Sequence, residues 1–374
     1  MPAALPVSAA TYAIVHTFGT QNEDGSYPTG QLVLHNGVIY GTTYYGGSTV
    51  GSCAPQGCGM VYAMTPAGAL SPLYLMAGGP DVANPTAGVK WLRGKFYGVA
   101  ATCIANDCGN DYGGVFAVTL QGYHNVVHAF GPTNGLPTGY DFSTDGTALY
   151  GVTSTDAFSL SAAGTFTVLH TFQGGGDGAQ PEQMRLIKGT LFGTTALGGN
   201  GNCGGQGCGT VFTLTPGGTE NVIYNFQNAG DGGIPASPLT PLLKGRMYGT
   251  TAFGGANGMG TVFSITPQGV ETVLYSFQGG NDGAFPSAGV VNIGGTLYGV
   301  TANGGGSPNC GSYGCGTIFS ISAQGVETVL HAFQGGGDGS APQWGLLNVN
   351  GVLYGTTSNA QAFVCCGTVF TVTP

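Results

Sequence analysis

The sequence predicts an all-β fold, a seven-bladed β-propeller of four-stranded antiparallel blades. Three observations carry that prediction. An aromatic-Gly pair recurs with its aromatic at Tyr40, Tyr97, Tyr150, Phe192, Tyr248, Tyr298 and Tyr354. Four short apolar runs, rich in β-branched and aromatic residues, fill each interval and are separated by Gly, Pro, Asn and Asp. The first and last runs of the chain each lack a neighbour that the other could supply. A period of roughly fifty residues with four strands per unit is the mark of a propeller.

The unit is clearest from Met247 to Val291. Met247-Tyr248-Gly249-Thr250-Thr251 is one run, Gly260 to Pro267 the next, Glu271 to Phe277 the third, and Ser287 to Val291 the fourth. The fourth leads into Leu297-Tyr298-Gly299 of the following unit. None is long enough, or apolar at the right period, for a helix. The third run ends on an apolar residue seven times, from Phe18 and Met76 to Phe277 and Phe333. The chain opens on an isolated run of that type, Tyr12 to Phe18, and closes on Gly367 to Pro374 with no such run after it. Pairing the two makes the N-terminal strand complete the last blade and leaves no free sheet edge. Residues 1–10 then form an N-terminal extension and 11–374 a single propeller.

Composition narrows the function. Only 6% of the 374 residues are charged, the net charge is −9, and the seven Lys plus Arg form no basic run. Nucleic acid is excluded as a partner on that ground, because phosphate binding needs clustered cations. No apolar stretch reaches the length of a transmembrane segment. Eight of ten cysteines are spaced as Cys53/Cys58, Cys103/Cys108, Cys203/Cys208 and Cys310/Cys315, always in the loop before the Gly-Thr-Val-Phe type strand. Short-loop disulfides are the expected reading, and they imply export to an extracellular or cell-surface location. Zinc is the weaker alternative, since the flanks are Gly and Asn without His. Cys365 and Cys366 are adjacent in the corresponding last loop, as a vicinal disulfide or as free thiols. Met1-Pro2-Ala3-Ala4 has no signal-peptide core, as expected if a leader has been replaced by a start Met.

The strings LFGTTALGGNGNCGGQGCGTVFTLTP (Leu191 to Pro216) and VLHTFQGGGDGAQP (Val168 to Pro181) resemble the Gloeo/Verruco tandem repeat of secreted and surface-anchored bacterial proteins. The resemblance covers nearly the whole chain. It implies an extracellular, propeller-like protein and implies no activity. The third unit departs from it by lacking the Gly-rich cysteine loop, and the second has Gly98-Val99-Ala100 in place of Gly-Thr-Thr.

The long connections, GGxDGAxP and the cysteine loop, emerge on one face, which is where a rigid scaffold usually binds. The loop acids Asp24, Asp81, Asp177, Asp231, Asp282 and Asp338 read as turn residues, with Asn134 in the third unit. Ca²⁺ is the alternative, but one carboxylate per loop is too few for a complete site. No cofactor and no metal site are expected. His16, His128, His170 and His331 share a strand position with Tyr74, Tyr224 and Tyr275, which points to packing with a polar tip. His124 reads as a lone loop residue, and Glu220, Glu271 and Glu327 as solvated strand-edge residues.

Polar residues that break the repeat are the better guide to a site. Ten residues before each aromatic of the pair lie Gly30, Ala87, Tyr140, Glu182, Pro238, Ala288 and Trp344. One further on lie Gln31, Gly88, Asp141, Gln183, Leu239, Gly289 and Gly345. Tyr140-Asp141 and Glu182-Gln183 thus fall on adjacent innermost strands, with Trp344 across the ring and Arg185 two residues beyond Gln183. A register change of one residue would swap faces. The missing loop of unit three, near Asp156, should leave a notch beside them. Tyr140, Gln183, Trp344 and Gln31 are the expected ligand-binding residues, and the ligand an extended polar chain, a polysaccharide or oligosaccharide. The alternative is a carbohydrate-active enzyme. A glycoside hydrolase would use Asp141 and Glu182 as its carboxylate pair, with Asp156 as a third. A polysaccharide lyase would use Tyr140 as base and Arg185 to neutralise a uronate. A structural surface-assembly module is the third reading. No serine elbow, phosphate loop or zinc-protease helix is present.

Overall fold

The computed structural model describes residues 10–19, 24–48, 53, 55–78, 81–103, 112–136, 141–241, 243–358 and 366–374. They form seven antiparallel sheets, each a meander, arranged as a β-propeller. In blade IV the strands Ala179–Ile187, Thr190–Leu197, Thr210–Leu214 and Glu220–Asn225 run in sequence from the axis outwards. Blade VII takes Leu347–Val349, Val352–Thr357 and Thr368–Thr373 from the end of the chain and Thr11–Thr17 from its beginning. Thr11 lies opposite Thr373 and Thr17 opposite Thr368, so the ring closes as its unpaired ends required.

The aromatic-Gly pair has a packing cause. The tip of an aromatic ring of the third strand lies over the glycine of the second, from Tyr62 over Gly41 to Phe370 over Gly355. A Cβ at Gly193 would stand 2.3 Å from Phe212 Cζ, well inside contact distance. The rings then face the preceding blade, Phe212 of blade IV on Phe172 of blade III at 5.0 Å and Phe263 of blade V on Phe226 of blade IV at 5.2 Å. Phe192, Val211 and Phe226 of blade IV, for example, pack with Leu239, Met247 and Phe263 of blade V.

The repeated loop acid is a hydrogen-bond hub. His16, Tyr74, His170, Tyr224, Tyr275 and His331 each reach the carboxylate of their own blade's loop, at 2.8–3.2 Å. Backbone N–H groups of Gln173, Gln227, Gln278 and Gln334 donate to the same carboxylates. In blade II, Asn134 replaces the acid, and the buried His128 Nε2 has no partner.

Three readings of the sequence are corrected at the blade seams. Glu220, Glu271 and Glu327 are not solvated: each starts an outermost strand half-buried against the loop acid of the preceding blade, respectively Asp177, Asp231 and Asp282. Burial, then the neighbouring carboxylate, raises all three above the ordinary range, Glu271 and Glu327 to about 7. His124 is not a loop residue. It begins the strand His124–Ala129, stacks on Tyr74 at 4.4 Å and lies 3.0 Å from Asp81. Tyr12 occupies the same place at the closing seam and stacks on His331 at 3.6 Å. Finally, Ser287 to Val290 is not strand: the innermost strand of blade VI is only Val291–Ile293.

A second seam contact explains the Pro of GGxDGAxP. The residue before it has a left-handed backbone in six blades, including Tyr27, Asn84, Ile234 and Phe285, with φ of 54–59° at these four. That conformation is costly for a residue with a Cβ, and more so before proline. It turns the N–H towards the previous blade: Asn84 donates to Cys58 O at 2.7 Å, Ile234 to Cys208 O at 2.8 Å and Ala341 to Cys315 O at 2.8 Å. The cysteine loops therefore hold the next blade as well as their own. Disulfides close Cys53–Cys58, Cys203–Cys208 and Cys310–Cys315. Cys366 is also disulfide-bonded. Cys108 and Cys365, and with them the pairings expected for Cys103 and Cys366, lie outside the described residues.

Candidate functional site

The axis of the ring is closed on one side and open on the other. Blades I and II touch backbone to backbone there, since a Cβ at Gly30 would fall 1.6 Å from Gly88 N. In blades V, VI and VII the innermost strands are short, Gly233–Pro235, Val291–Ile293 and Leu347–Val349. Pro238 and Pro241 have no N–H to offer a ladder, and in these blades the chain beside the axis leaves the sheet. The result is a cavity of about 380 Å³, walled by residues of every blade except the second. Its size falls in the range of small-molecule sites.

Part of the wall is apolar, formed by Trp344, Pro238, Leu243, Val290 and Leu346. The Trp344 indole N–H donates to Pro28 O at 3.2 Å, which fixes the ring. The polar part is built by Gln31, Asp141, Gln183, Arg185 and Asn292. Gln31 Nε2 donates to Leu346 O at 3.0 Å and ties blade I to blade VII. Lys90 Nζ lies 3.7 Å from Asp141 Oδ2, so this carboxylate has a counter-charge. Gln183 Nε2 reaches Asp141 O at 3.5 Å, leaving Gln183 Oε1 buried without a partner. Asn292 Oδ1 accepts from Gly295 N at 3.2 Å, and its Nδ2 is buried without one. Arg185 Nε is buried and unpartnered as well. Buried polar atoms are nearly always satisfied in folded proteins. Here one acceptor and two donors, on residues of blades IV and VI that line the cavity, are left over beneath its surface.

The residues singled out in the sequence divide accordingly. Gln31, Asp141, Gln183, Arg185 and Trp344 meet at the cavity. Tyr140 lies outside the described residues. Glu182 is not on the cavity wall. The pairing of Ala179–Ile187 with Thr190–Leu197 slips between Pro181 and Gln183, and Glu182 is the residue at the slip. This β-bulge re-aims the strand, so that Gln183 and Arg185 share the axial side. Burial raises the Glu182 carboxyl to about 7. Asp156 is buried at the start of the third strand of blade III, accepts from the Thr171 hydroxyl at 2.8 Å, and does not line the cavity. The connection before it is a tight turn in which Thr153 N donates to Asp156 O at 2.8 Å.

Two participants escaped the sequence reading. Lys90 stands seven residues before Tyr97, as Arg185 stands seven before Phe192. A cation recurring at one axial position in so uncharged a chain was the available signal. Asn292 had none, because the broken strand of blade VI destroys the count.

Among the described residues, one set of side chains has metal-ligand geometry: His170, Asp177 and Glu220, with ligand atoms within 4.8 Å of one another. The next seam repeats it as Tyr224, Asp231 and Glu271, where a phenol donates to the carboxylate at 3.0 Å. The set is thus the seam's hydrogen-bond hub with His in place of Tyr. The other loop acids are likewise occupied by protein donors. Rim aromatics pack among themselves, Tyr44 on Tyr45 at 4.7 Å and Phe253 on Phe285 at 5.1 Å. No helix of the described residues is long and apolar enough to cross a membrane.

Solved structures share the fold at low identity. The streptogramin B lyase structure superposes with a TM-score of 0.61 at 14% identity, over 96% of this chain and 97% of that one. Virginiamycin B lyase from Staphylococcus aureus gives 0.60 at 12%, over 98% and 99%. The extracellular domain assigned to a hybrid two-component system of B. thetaiotaomicron gives 0.60 at 10%, over 96% of this chain and 39% of that one. At such identities these likenesses establish the propeller alone. No curated protein sequence matches the chain. The family model of the Gloeobacter/Verrucomicrobia repeat matches residues 156–310 and 202–374, more than half of the sequence, and the chain belongs to that family.

Proposed function

We propose that this protein is an exported propeller that binds a polar saccharide chain by seating part of it in the axial cavity. The observation that carries this reading is that Gln31, Asp141, Gln183, Arg185 and Asn292 line one cavity together with Trp344, whose indole is fixed by its bond to Pro28 O. An aromatic platform together with hydrogen-bonding side chains suits a sugar ring, which offers an apolar face and a rim of hydroxyls. Three disulfides in the described loops support an oxidising, extracellular location.

Affinity electrophoresis in a panel of soluble polysaccharides tests the reading. Retardation in at least one glycan, lost in a Trp344→Ala variant of unchanged fold, is the expected result. Migration unaffected by every glycan would overturn it. A second reading, a carbohydrate-active enzyme, is favoured by one observation: the Glu182 carboxyl, raised to about 7 beside the cavity strand, suits proton transfer near neutral pH. Release of reducing ends, or of unsaturated products absorbing in the ultraviolet, from the retained glycan would establish it.

A further inference from the structure

Resting on that reading, we propose that the cavity is specific for an acidic saccharide, with the ligand's carboxylate held by Arg185 and Asn292. The argument begins with charge. Only seven cations exist in the chain, and Lys90 and Arg185 both stand at the axis. Lys90 is matched by Asp141. Arg185 forms no ion pair and no hydrogen bond among the described residues, and its Nε is shut off from solvent. Arg185 is half-buried on the cavity wall, and its charge has no acidic partner among the described residues, so a ligand anion seated there would match it. Among the described residues Glu182, next to Gln183 in the chain, makes no ion pair with Arg185, and burial raises its carboxyl to about 7.

The neighbouring amides specify the rest. Gly295 N–H holds Asn292 Oδ1, so the remaining hydrogen-bonding group of this amide is the donor Nδ2, buried without a protein partner. The weak bond from Gln183 Nε2 to Asp141 O leaves Oε1 as an acceptor. A planar anion accepts from a guanidinium and an amide together, and a hydroxyl beside it donates to Gln183. A carboxylate on a hydroxylated ring meets all three requirements, and the ring's apolar face meets Trp344. A neutral hexose satisfies the amides and leaves the cation unmatched.

Two disaccharides that differ only in this group make the test. Cellobiose and cellobiouronic acid are titrated calorimetrically into the full chain and into Arg185→Gln and Arg185→Lys, with thermal melts to verify folding. A charge-assisted bond is worth about 1.5–3 kcal/mol, so the acid should bind roughly 10- to 150-fold more tightly than the neutral sugar. Arg185→Gln should abolish the difference, Arg185→Lys should retain part of it, and added salt should shrink it. Equal binding of the two sugars would overturn the acidic specificity and leave the saccharide reading standing. If neither sugar binds but cyclohexanecarboxylate does, in an Arg185-dependent way, the anion site stands and the saccharide reading falls. Binding of none of the three overturns both.

Discussion

Raising the pH from 5 to 8 should weaken this protein, and the glutamates at the blade seams are the cause. Glu271 and Glu327 each lie half-buried near a loop aspartate, and both carboxyls rise from the ordinary value of 4.5 to about 7. Burial is the larger cause and the adjacent Asp231 or Asp282 the next. The folded protein therefore keeps a proton on each Glu that the unfolded chain has released. Folded molecules bind more protons, so stability falls as pH rises. The contribution is complete below about pH 4.5 and gone above about pH 7. Full burial would make each rise worth about 3 kcal/mol. Solvent reaches these seams, so about 1 kcal/mol per group is the reasonable figure. Two such groups correspond to a fall in melting temperature of roughly 2–3 °C between pH 5 and pH 8 in a chain of this size. The assay is calorimetric or fluorimetric melting of wild type and of Glu271→Gln/Glu327→Gln, whose amides carry no charge. The double variant retains the histidine–aspartate pairs at His16, His170 and His331. It should be less sensitive to pH and, at pH 8, at least as stable as wild type. A wild-type melting temperature independent of pH, or an unchanged slope in the double variant, would refute the reasoning.

Three further outcomes follow from the packing. Gly193→Ala places a methyl 2.3 Å from the Phe212 ring, and overpacking of this kind should cost about 1–3 kcal/mol in denaturant melts. Reduction of Cys203–Cys208, read in a Cys203→Ser/Cys208→Ser variant, removes closure of a short loop worth roughly 2 kcal/mol on the chain-entropy model. Because Cys208 O also receives Ile234 N–H of the next blade, amide exchange at Ile234 should speed up in that variant. Deleting residues 1–18 removes the fourth strand of the last blade, and the truncated chain should lose its single cooperative transition in melts.

The fold was legible because each mark of the repeat has a single steric cause applied seven times. A ring over Gly41 needs the same absent Cβ as a ring over Gly355, and the unpaired strand Thr11–Thr17 has one complement. The site was legible only where a departure from the repeat could be counted against it. Gln31, Asp141, Gln183, Arg185 and Trp344 stand out on inner runs of nearly regular length, and they do share a cavity. Glu182 shows the limit of counting. A bulge of one residue after Pro181 separates it from Gln183, and nothing in the local sequence announces a bulge. Asn292 shows the converse, since its strand is broken and no count reaches it. The seam glutamates failed for another reason: a charged residue at a strand start reads as solvated, and only the neighbouring blade, some fifty residues away in sequence, buries it. What a repeat sequence encodes well is the interior of one unit. What two units do to each other, at the seams and at the axis, depends on small offsets between copies, and those offsets are where this propeller keeps both its proton-holding carboxyls and its unmatched arginine.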